Sequence, residues 1–304
     1  MPLPKATLGR TGFAATRLGF GAMELIGFDA ARSRVSADRL LGSVLDAGIN
    51  LIDTSPDYGR SEELIGAHLA HRRDEFFLAS KCGCIVGREP VLENGRLEHD
   101  WSRSNIRAGV EQSLRRLRTD RLDLVQIHSS PTRKRLEECE SVEELELLRR
   151  EGKVRFLGMS SVLPDLADHI AMGVFDVFQI PYSALQREHA DAIRAAAAAG
   201  AGTIIRGGVA RGAPAPDHDA GQHAFWRAFS EQKRALWERA RLDEILGPMP
   251  RMEFLLRFVL AHEDAHTTIV GTANPDHLAA NAAAAARGPL PADLYAEALR
   301  RLAA

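Results

Sequence analysis

The sequence predicts an α/β fold, a closed (β/α)8 barrel, and three observations support that prediction. Eight short apolar runs recur along the 304 residues, and each ends in a small or polar cluster. Segments of helical periodicity separate the runs, which gives the alternating order of strand and helix. The runs are continuously apolar rather than alternating, as is typical of parallel strands that helices cover on both faces. An open doubly wound sheet is the competing architecture, but no GxGxxG fingerprint follows the early strands.

The elements follow in a regular order along the chain. First, "ATLGRTGFAAT" places Gly-containing turn residues between β-prone pieces, which predicts a hairpin that closes the barrel floor. The predicted barrel strands are "TRLGFGA", "INLIDTS", "EFFLASKCG", "LDLVQIHSS", "VRFLGMSS", "VFQIPYS", "GTIIRGG" and "HTTIVGT". The predicted helices include "RLLGSVLDAG", "SEELIGAHLA" with Ser61 as its N-cap, "RSNIRAGVEQSLRRL", "SVEELELLRREG" and "HADAIRAAAAAG", several of which end on Gly as helices often do.

An enlarged segment, residues 212–247, follows the seventh predicted strand and carries Trp226, Phe229 and Trp237 on a charged helix. In barrels the loops after the strands form the active-site face, so this segment is expected to lie there. The same aromatic residues also fit the inward face of a surface helix. All 304 residues, 1–304, are expected to form one domain.

The composition excludes several classes of protein. With 45% hydrophobic and 26% charged residues, the chain has the material for a large core. A net charge of -2 and a pI of about 6.6 give no electrostatic reason to expect nucleic acid or an anionic membrane as a partner. Three cysteines are too few for a disulfide framework and indicate a reducing compartment. Because no signal segment and no apolar run of about 18 residues is present, a cytoplasmic protein is expected.

Polar residues stand where the predicted strands end. Asp53 follows the second strand, Lys81 the third and His128 the fourth; Ser160, Ser161 and Gln179 stand at the ends of the fifth and sixth. In a closed barrel these positions share one mouth. Taken singly, Asp53 also fits a turn or helix cap, Lys81 a surface lysine and His128 a hydrogen-bonded core residue. Only the residues together indicate chemistry.

Asp53, Tyr58, Lys81 and His128 together have the chemistry of a proton-donor system. A free tyrosine has a pKa of about 10, and a neighbouring ammonium stabilises the phenolate and lowers that value. We expect Lys81 to be that cation and Asp53 to hold it, with His128 orienting a carbonyl oxygen. Reduction of a carbonyl group needs a hydride as well as this proton. With no metal spacing and no flavin signature in the sequence, this leaves a nicotinamide cofactor.

The sequence resembles the aldo-keto reductase family over nearly its whole length. The resemblance lies in "LGRTGFAATRLGFGAME", "NLIDTSPDYGRSEELIG", "FFLASKCG", "LDLVQIHS", "GKVRFLGMSS", "VFQIPYSALQRE", "GVARG" and "IVGTANPDHLAAN", in that order. It implies a (β/α)8 barrel, NADPH or less often NADH as cofactor, and the reversible reduction of an aldehyde or ketone.

The resemblance also implies roles for individual residues. Tyr58 matches the general acid, Lys81 and Asp53 its charged neighbours, and His128 the residue that orients the substrate. Ser160, Ser161 and Gln179 match the groups that bind the nicotinamide carboxamide. The stretch from Gly271 through Thr272 to Asn281 matches the segment that binds the adenosine end and its 2′-phosphate, with Asn281 at the adenine position.

Several positions depart from the family pattern. Ser161 replaces the usual Asn, and Arg206 with Gly207 stands where an aromatic residue and a Ser are common. Arg206 is expected to stack on the nicotinamide, contact the pyrophosphate or meet an anionic substrate group. At the 2′-phosphate position Gly271 and His277 replace Lys and Arg, so NADPH is expected with NADH as the alternative. The "DTSP" motif resembles sugar-dehydrogenase members, some of which use NAD.

The expected function is therefore an NAD(P)-dependent oxidoreductase that acts on a small-molecule carbonyl or alcohol substrate, as a monomer or a homo-oligomer. Two alternatives stay open: a cofactor-binding redox sensor with little turnover, as in potassium-channel β subunits of this family, and a cofactor-free lyase or isomerase. No metal site is expected. Cys82 and Cys84 in "KCGC" supply too few ligands, which predicts reduced structural cysteines.

Overall fold

The computed structural model describes residues 2–28, 35–88, 92–93, 96–214 and 224–303. Residues 215–223 of the enlarged segment therefore lie outside the described residues. The strands are β1 (Lys5–Thr7), β2 (Ala14–Thr16), β3 (Leu18–Gly21), β4 (Leu51–Asp53), β5 (Phe77–Cys82), β6 (Leu92–Glu93), β7 (Arg96–Leu97), β8 (Leu122–Ile127), β9 (Val154–Ser160), β10 (Val177–Pro181), β11 (Gly202–Arg206) and β12 (Thr267–Val270).

The helices lie between and after these strands. They are α1 (Ala37–Asp46), α2 (Ser61–Leu69), α3 (Arg103–Leu117), α4 (Arg133–Glu138), α5 (Ser141–Arg150), α6 (Asp165–Met172), α7 (Ala190–Ala198), α8 (Ala224–Arg239), α9 (Asp243–Leu246), α10 (Arg251–Leu260), α11 (Pro275–Ala286) and α12 (Ala292–Ala303). None of the helices in the described part of the chain combines the length and apolarity that crossing a bilayer requires.

Eight parallel strands close into one barrel, in the order β3, β4, β5, β8, β9, β10, β11 and β12, with β12 paired back to β3. They are the eight strands that the apolar runs predict, so the (β/α)8 prediction is confirmed. The continuous apolarity has a direct cause, because β5, β8 and β10 are buried along their whole lengths. All the strands run in one direction, so their carboxyl ends open at the same face.

The predicted N-terminal hairpin is present and covers the opposite end of the barrel. Strands β1 and β2 pair antiparallel, with Ala6 opposite Ala15. The turn between them approaches the start of β11 so closely that a Cβ on Gly9 would lie 2.2 Å from the nitrogen of Gly202. Leu8 in this turn is fully buried. The hairpin thus closes the barrel floor and leaves the strands' carboxyl ends as the open face.

The start of α2 differs from the prediction. Ser61 is the first residue of the helix, Arg60 occupies the N-cap position, and no side chain caps the helix there. The Ser61 hydroxyl is buried, donates to the carbonyl of Ala22 and bonds the Thr54 hydroxyl at 2.8 Å. The prediction that Ser61 is an N-cap is therefore wrong, because its side chain joins the loop after β4 to the loop after β3 instead.

Candidate active site

Four polar side chains converge inside the mouth of the barrel. Asp53 and Lys81 stand near the ends of β4 and β5, while Gln126 and Gln179 belong to β8 and β10. The register pairs Lys81 directly with Gln126. All four residues are at most 1% exposed. Buried polar groups need partners, and here Asp53 accepts hydrogen bonds from the other three residues, while Gln126 Oε1 has no partner among the described residues.

Asp53 and Lys81 form a buried ion pair at the centre of this group. The Lys81 Nζ donates to Asp53 Oδ2 at 2.7 Å and to the carbonyl of Thr54 at 2.9 Å. The other carboxylate oxygen, Oδ1, accepts from Gln126 Nε2 at 2.7 Å and from Gln179 Nε2 at 2.8 Å. Although burial opposes its charge, attraction to Asp53 and Tyr58 raises the pKa of Lys81. Lys81 is thus held charged in an interior site.

Tyr58 lies over the lysine of this pair. The loop turns at Tyr58, whose N–H donates to the carbonyl of Ser55 at 3.0 Å. Its ring centroid is 5.1 Å from the Lys81 Nζ. Burial raises the pKa of the phenol, and the Lys81 ammonium acts in the opposite direction. The lysine lowers the pKa of Tyr58, as expected, but burial raises the same pKa by more. The expectation of a lowered net pKa is therefore wrong.

His128 follows β8 and belongs to a group of four residues, called here the His128 cluster: Asp57, Cys84, His99 and His128. His128 Nδ1 lies 3.4 Å from Asp57 Oδ2, 3.5 Å from Cys84 Sγ and 3.1 Å from His99 Nε2. Burial lowers the pKa of His128 to about 4, so the ring is neutral. Because Nδ1 contacts the other members of the cluster, only Nε2 is available to a ligand in the barrel mouth.

The residues predicted to bind a carboxamide differ in which of their polar atoms already have partners. Ser160 and Gln179 are neighbours in register on β9 and β10. Gln179 uses its amide nitrogen on Asp53, which leaves its carbonyl oxygen for a ligand. Ser161 is fully buried and bonds His169 Nδ1 at 2.7 Å. The same hydroxyl lies 3.2 Å from that of Ser130, so Ser161 joins the end of β9 to α6 and to the loop after β8.

Arg206, at the end of β11, presents an unusual side chain for a barrel interior. Its Nε is buried and has no hydrogen-bond partner among the described residues. Burial lowers its pKa, while Tyr58 and Asp53 act in the opposite direction, so the guanidinium lies near both. Gly207, which follows, is exposed with a φ of +70°. A buried donor without an acceptor is a place for a ligand's anionic or carbonyl oxygen.

The segment after β12 forms the other side of the mouth. A Cβ on Gly271 would lie 2.4 Å from the carbonyl oxygen of Gly21 and 3.1 Å from Glu24 Cγ. Thr272 accepts the N–H of Asn274, whose own side chain caps α11. His277 is exposed and Asn281 half-buried, one helical turn apart on α11.

These features fit a nicotinamide dinucleotide. The free carbonyl oxygen of Gln179 and the hydroxyl of Ser160 suit a carboxamide, the orphaned Nε of Arg206 suits an oxygen ligand, and the N-terminus of α11 suits phosphate. The close approach of Gly271 to Gly21 brings backbone against backbone with no side chain between them.

Sequence reasoning missed Gln126, Asp57 and His99. A signal existed for Gln126, since a Gln inside the apolar run "LDLVQIH" stands two residues before His128 and on the same face of the strand. Asp57 and His99 had no such signal. His99 reaches the site from the far end of the β6–β7 hairpin, a segment without helical or strand periodicity.

The chain matches known proteins over nearly its whole length. The Aldo/keto reductase family model matches residues 17–299. D-threo-aldose 1-dehydrogenase of a Pseudomonas species is 29% identical, covering 94% of this chain and 94% of that protein. The NADH-specific methylglyoxal reductase of Escherichia coli is 32% identical over 61% of this chain and 60% of that protein. The holo form of an aldo-keto reductase from Bacillus halodurans superposes with a TM-score of 0.80 at 29% identity, covering 98% of this chain and 96% of that one.

Proposed function

The chain belongs to the aldo/keto reductase family and is an oxidoreductase of carbonyl and alcohol groups, and we propose that its substrate is a sugar-like aldehyde or lactol, which it reduces or oxidises reversibly. The observation that carries the proposal is the buried Asp53–Lys81 pair with Tyr58 over it, 5.1 Å from ring centroid to Nζ. A proton donor beside a fixed cation at a barrel mouth suits reversible proton transfer at a carbonyl oxygen.

In this proposal Tyr58 gives the carbonyl oxygen its proton in the reducing direction and takes it back in the oxidising one. Bound nicotinamide would supply or accept the hydride. The raised pKa keeps the phenol protonated at rest, and the Lys81 ammonium stabilises the phenolate once the proton has left. Asp53, tied by two glutamines, holds Lys81 in place. His128 is neutral, and in the tautomer with its proton on Nε2 it donates to the same oxygen.

The substrate class rests on the loop that carries Tyr58. Its "DTSP" sequence resembles sugar-dehydrogenase members, and the aldose dehydrogenase matched above acts by name on aldoses. The mouth also holds Arg206 with an unpaired donor, which suits a ligand rich in oxygen. Polyhydroxylated substrates present many such oxygens.

A substrate panel tests the proposal. Aldoses, short aldehydes, ketones and secondary alcohols are assayed with both cofactors by absorbance of the reduced nicotinamide. We expect the highest kcat/KM among aldoses or small hydroxyaldehydes, with kcat/KM for simple secondary alcohols at least about 10-fold lower, a difference of about 1.4 kcal/mol. Turnover of none of them, with cofactor binding intact, would favour a redox sensor.

We further propose that NADH binds at least as tightly as NADPH. Position 271 cannot carry a cation without displacing the Gly21 backbone, and the Glu24 side chain packs over that position. A carboxylate there disfavours a 2′-phosphate and accepts hydrogen bonds from ribose hydroxyls. At the position aligned with the second cation, His277 lies exposed on α11.

Dissociation constants for NADH and NADPH, measured side by side by fluorescence, check this proposal. Glu24→Gln removes the charge over Gly271, so we expect NADPH affinity to rise about fivefold, roughly 1 kcal/mol, while NADH affinity stays or falls. Glu263→Gln, an exposed glutamate just before β12 at the other end of the barrel, is the matched control and should change neither constant. Tighter NADPH binding by the unaltered protein would contradict the proposal.

A further inference from the structure

The His128 cluster brings four metal-ligating atoms to one point beside the mouth. They are Asp57 Oδ2, Cys84 Sγ, His99 Nε2 and His128 Nδ1, all within 4.8 Å of one another. Asp57 and Cys84 are buried, and the His99 side chain is fully buried. One carboxylate, one thiol and two imidazoles form a ligand set that proteins use for zinc.

The spacing of these atoms matches a tetrahedron around one ion. Zinc bonds of about 2.0–2.3 Å at tetrahedral angles place neighbouring ligand atoms about 3.3–3.6 Å apart. In the structure Asp57 Oδ2 lies 3.3 Å from His99 Nε2 and 3.4 Å from His128 Nδ1. His128 Nδ1 lies 3.5 Å from Cys84 Sγ and 3.1 Å from His99 Nε2. Three of these four distances fall in that range, and the separation of the two imidazole nitrogens is slightly shorter.

One acceptor of this cluster has no well-oriented hydrogen-bond donor. Asp57 Oδ2 is buried and makes no hydrogen bond with good geometry among the described residues, although two imidazole nitrogens lie within 3.4 Å of it. A buried carboxylate oxygen without a donor is costly. An ion between the carboxylate and the two imidazoles removes that cost.

The backbone holds the ligands in position. Cys84 and His99 are paired by an isolated antiparallel bridge, and the N–H of Asp100 donates to the carbonyl of Gly83 at 2.8 Å. Trp101 Nε1 donates to the carbonyl of His128 at 3.0 Å. Gly83 has a φ of +92°, and a Cβ there would lie 2.7 Å from the Trp101 ring. The loop after β5 is thus fastened to the loop after β8.

We propose that Asp57, Cys84, His99 and His128 bind one zinc-type divalent ion through these four atoms. Four protein ligands close the coordination sphere, so the ion is structural and does not itself meet substrate. The proposal departs from the sequence-based expectation of no metal site, because three of the ligands come from parts of the chain distant from "KCGC". Calcium and magnesium are excluded as preferred ions, since they take oxygen ligands.

The site has a consequence for His128 that rests on the proposed function. A metal on Nδ1 fixes the tautomer that carries the proton on Nε2 and makes that N–H a stronger donor. Without the ion, Nδ1 can carry the proton toward Asp57 instead. Metal binding itself does not depend on the catalytic proposal and is measured without substrate or cofactor.

Cobalt titration tests the site. The full chain is stripped with a chelator, and Co²⁺ is added while the absorption spectrum is recorded. We expect one equivalent to bind, with an intense thiolate-to-cobalt band in the near ultraviolet and the strong visible bands of a tetrahedral ion, and Zn²⁺ to displace it. The Cys84→Ser variant should lose the thiolate band, and His99→Gln should bind Co²⁺ at least about 10-fold more weakly.

The chain offers a matched control in Cys139→Ser, which removes a thiol that is partly exposed and outside the cluster. This variant should keep the complete cobalt spectrum. Circular dichroism checks that each variant is folded, and His99→Gln decides the outcome if Cys84→Ser is not. Absence of the thiolate band in the unaltered protein, or an unchanged spectrum in His99→Gln, would overturn the proposal.

Discussion

Replacement of Tyr58 by phenylalanine is expected to lower kcat by about 10²–10⁴-fold, the usual contribution of a positioned general acid. The phenyl ring keeps its place over Lys81, where the ring centroid lies 5.1 Å from Nζ, and only the proton donor is removed. Cofactor affinity should therefore change less than about twofold, which separates loss of chemistry from loss of binding. Steady-state rates and cofactor fluorescence titrations measure the two effects.

Tyr295→Phe is the matched control for this experiment. Tyr295 lies on α12, and its hydroxyl contacts that of Tyr182 at 3.5 Å, away from Asp53 and Lys81. The same chemical change there should leave kcat nearly unaltered. If Tyr58→Phe also retained full turnover, Tyr58 would not be the acid, and the proton would have to come from another group at the mouth.

The fold and the ion pair were readable from the sequence because their signals are local. A continuous apolar run followed by a polar residue marks a buried strand and its end, and parallel closure of a barrel then places Asp53, Lys81 and Gln179 together. The structure places Asp53 and Lys81 in direct contact at 2.7 Å. No long-range information beyond the strand order was needed for that pairing.

Other features were not readable because they depend on contacts between distant segments. The periodicity of "SEELIG" predicts α2, yet nothing local says that the Ser61 hydroxyl bonds Thr54 rather than the helix end. The Ser161 hydroxyl bonds His169, eight residues later on α6, and its position after β9 does not predict that partner. His99 joins Cys84 through a bridge made by an irregular hairpin. In each case the partner of the side chain is set by tertiary packing and not by the local sequence.

Replacement of Lys81 by methionine is expected to cost about 3–5 kcal/mol of unfolding free energy, because it leaves one member of a buried ion pair without its partner. Asp53 would keep its hydrogen bonds from Gln126 and Gln179, but these neutral donors do not compensate its charge. The carbonyl of Thr54 would lose its donor as well. Urea denaturation at pH 7 measures the loss, and turnover should fall with it.

Two further variants separate the pair from a general effect of removing a lysine. Lys153→Met breaks a partly exposed pair with Glu111 and Glu151 and should cost no more than about 1 kcal/mol. The double variant Asp53→Asn with Lys81→Met removes both charges, so it should be more stable than the sum of the single effects predicts, by a coupling energy of about 1–3 kcal/mol. Equal losses for Lys81→Met and Lys153→Met would mean that the buried pair is not held charged, and the support that it gives Tyr58 would have to be reassigned.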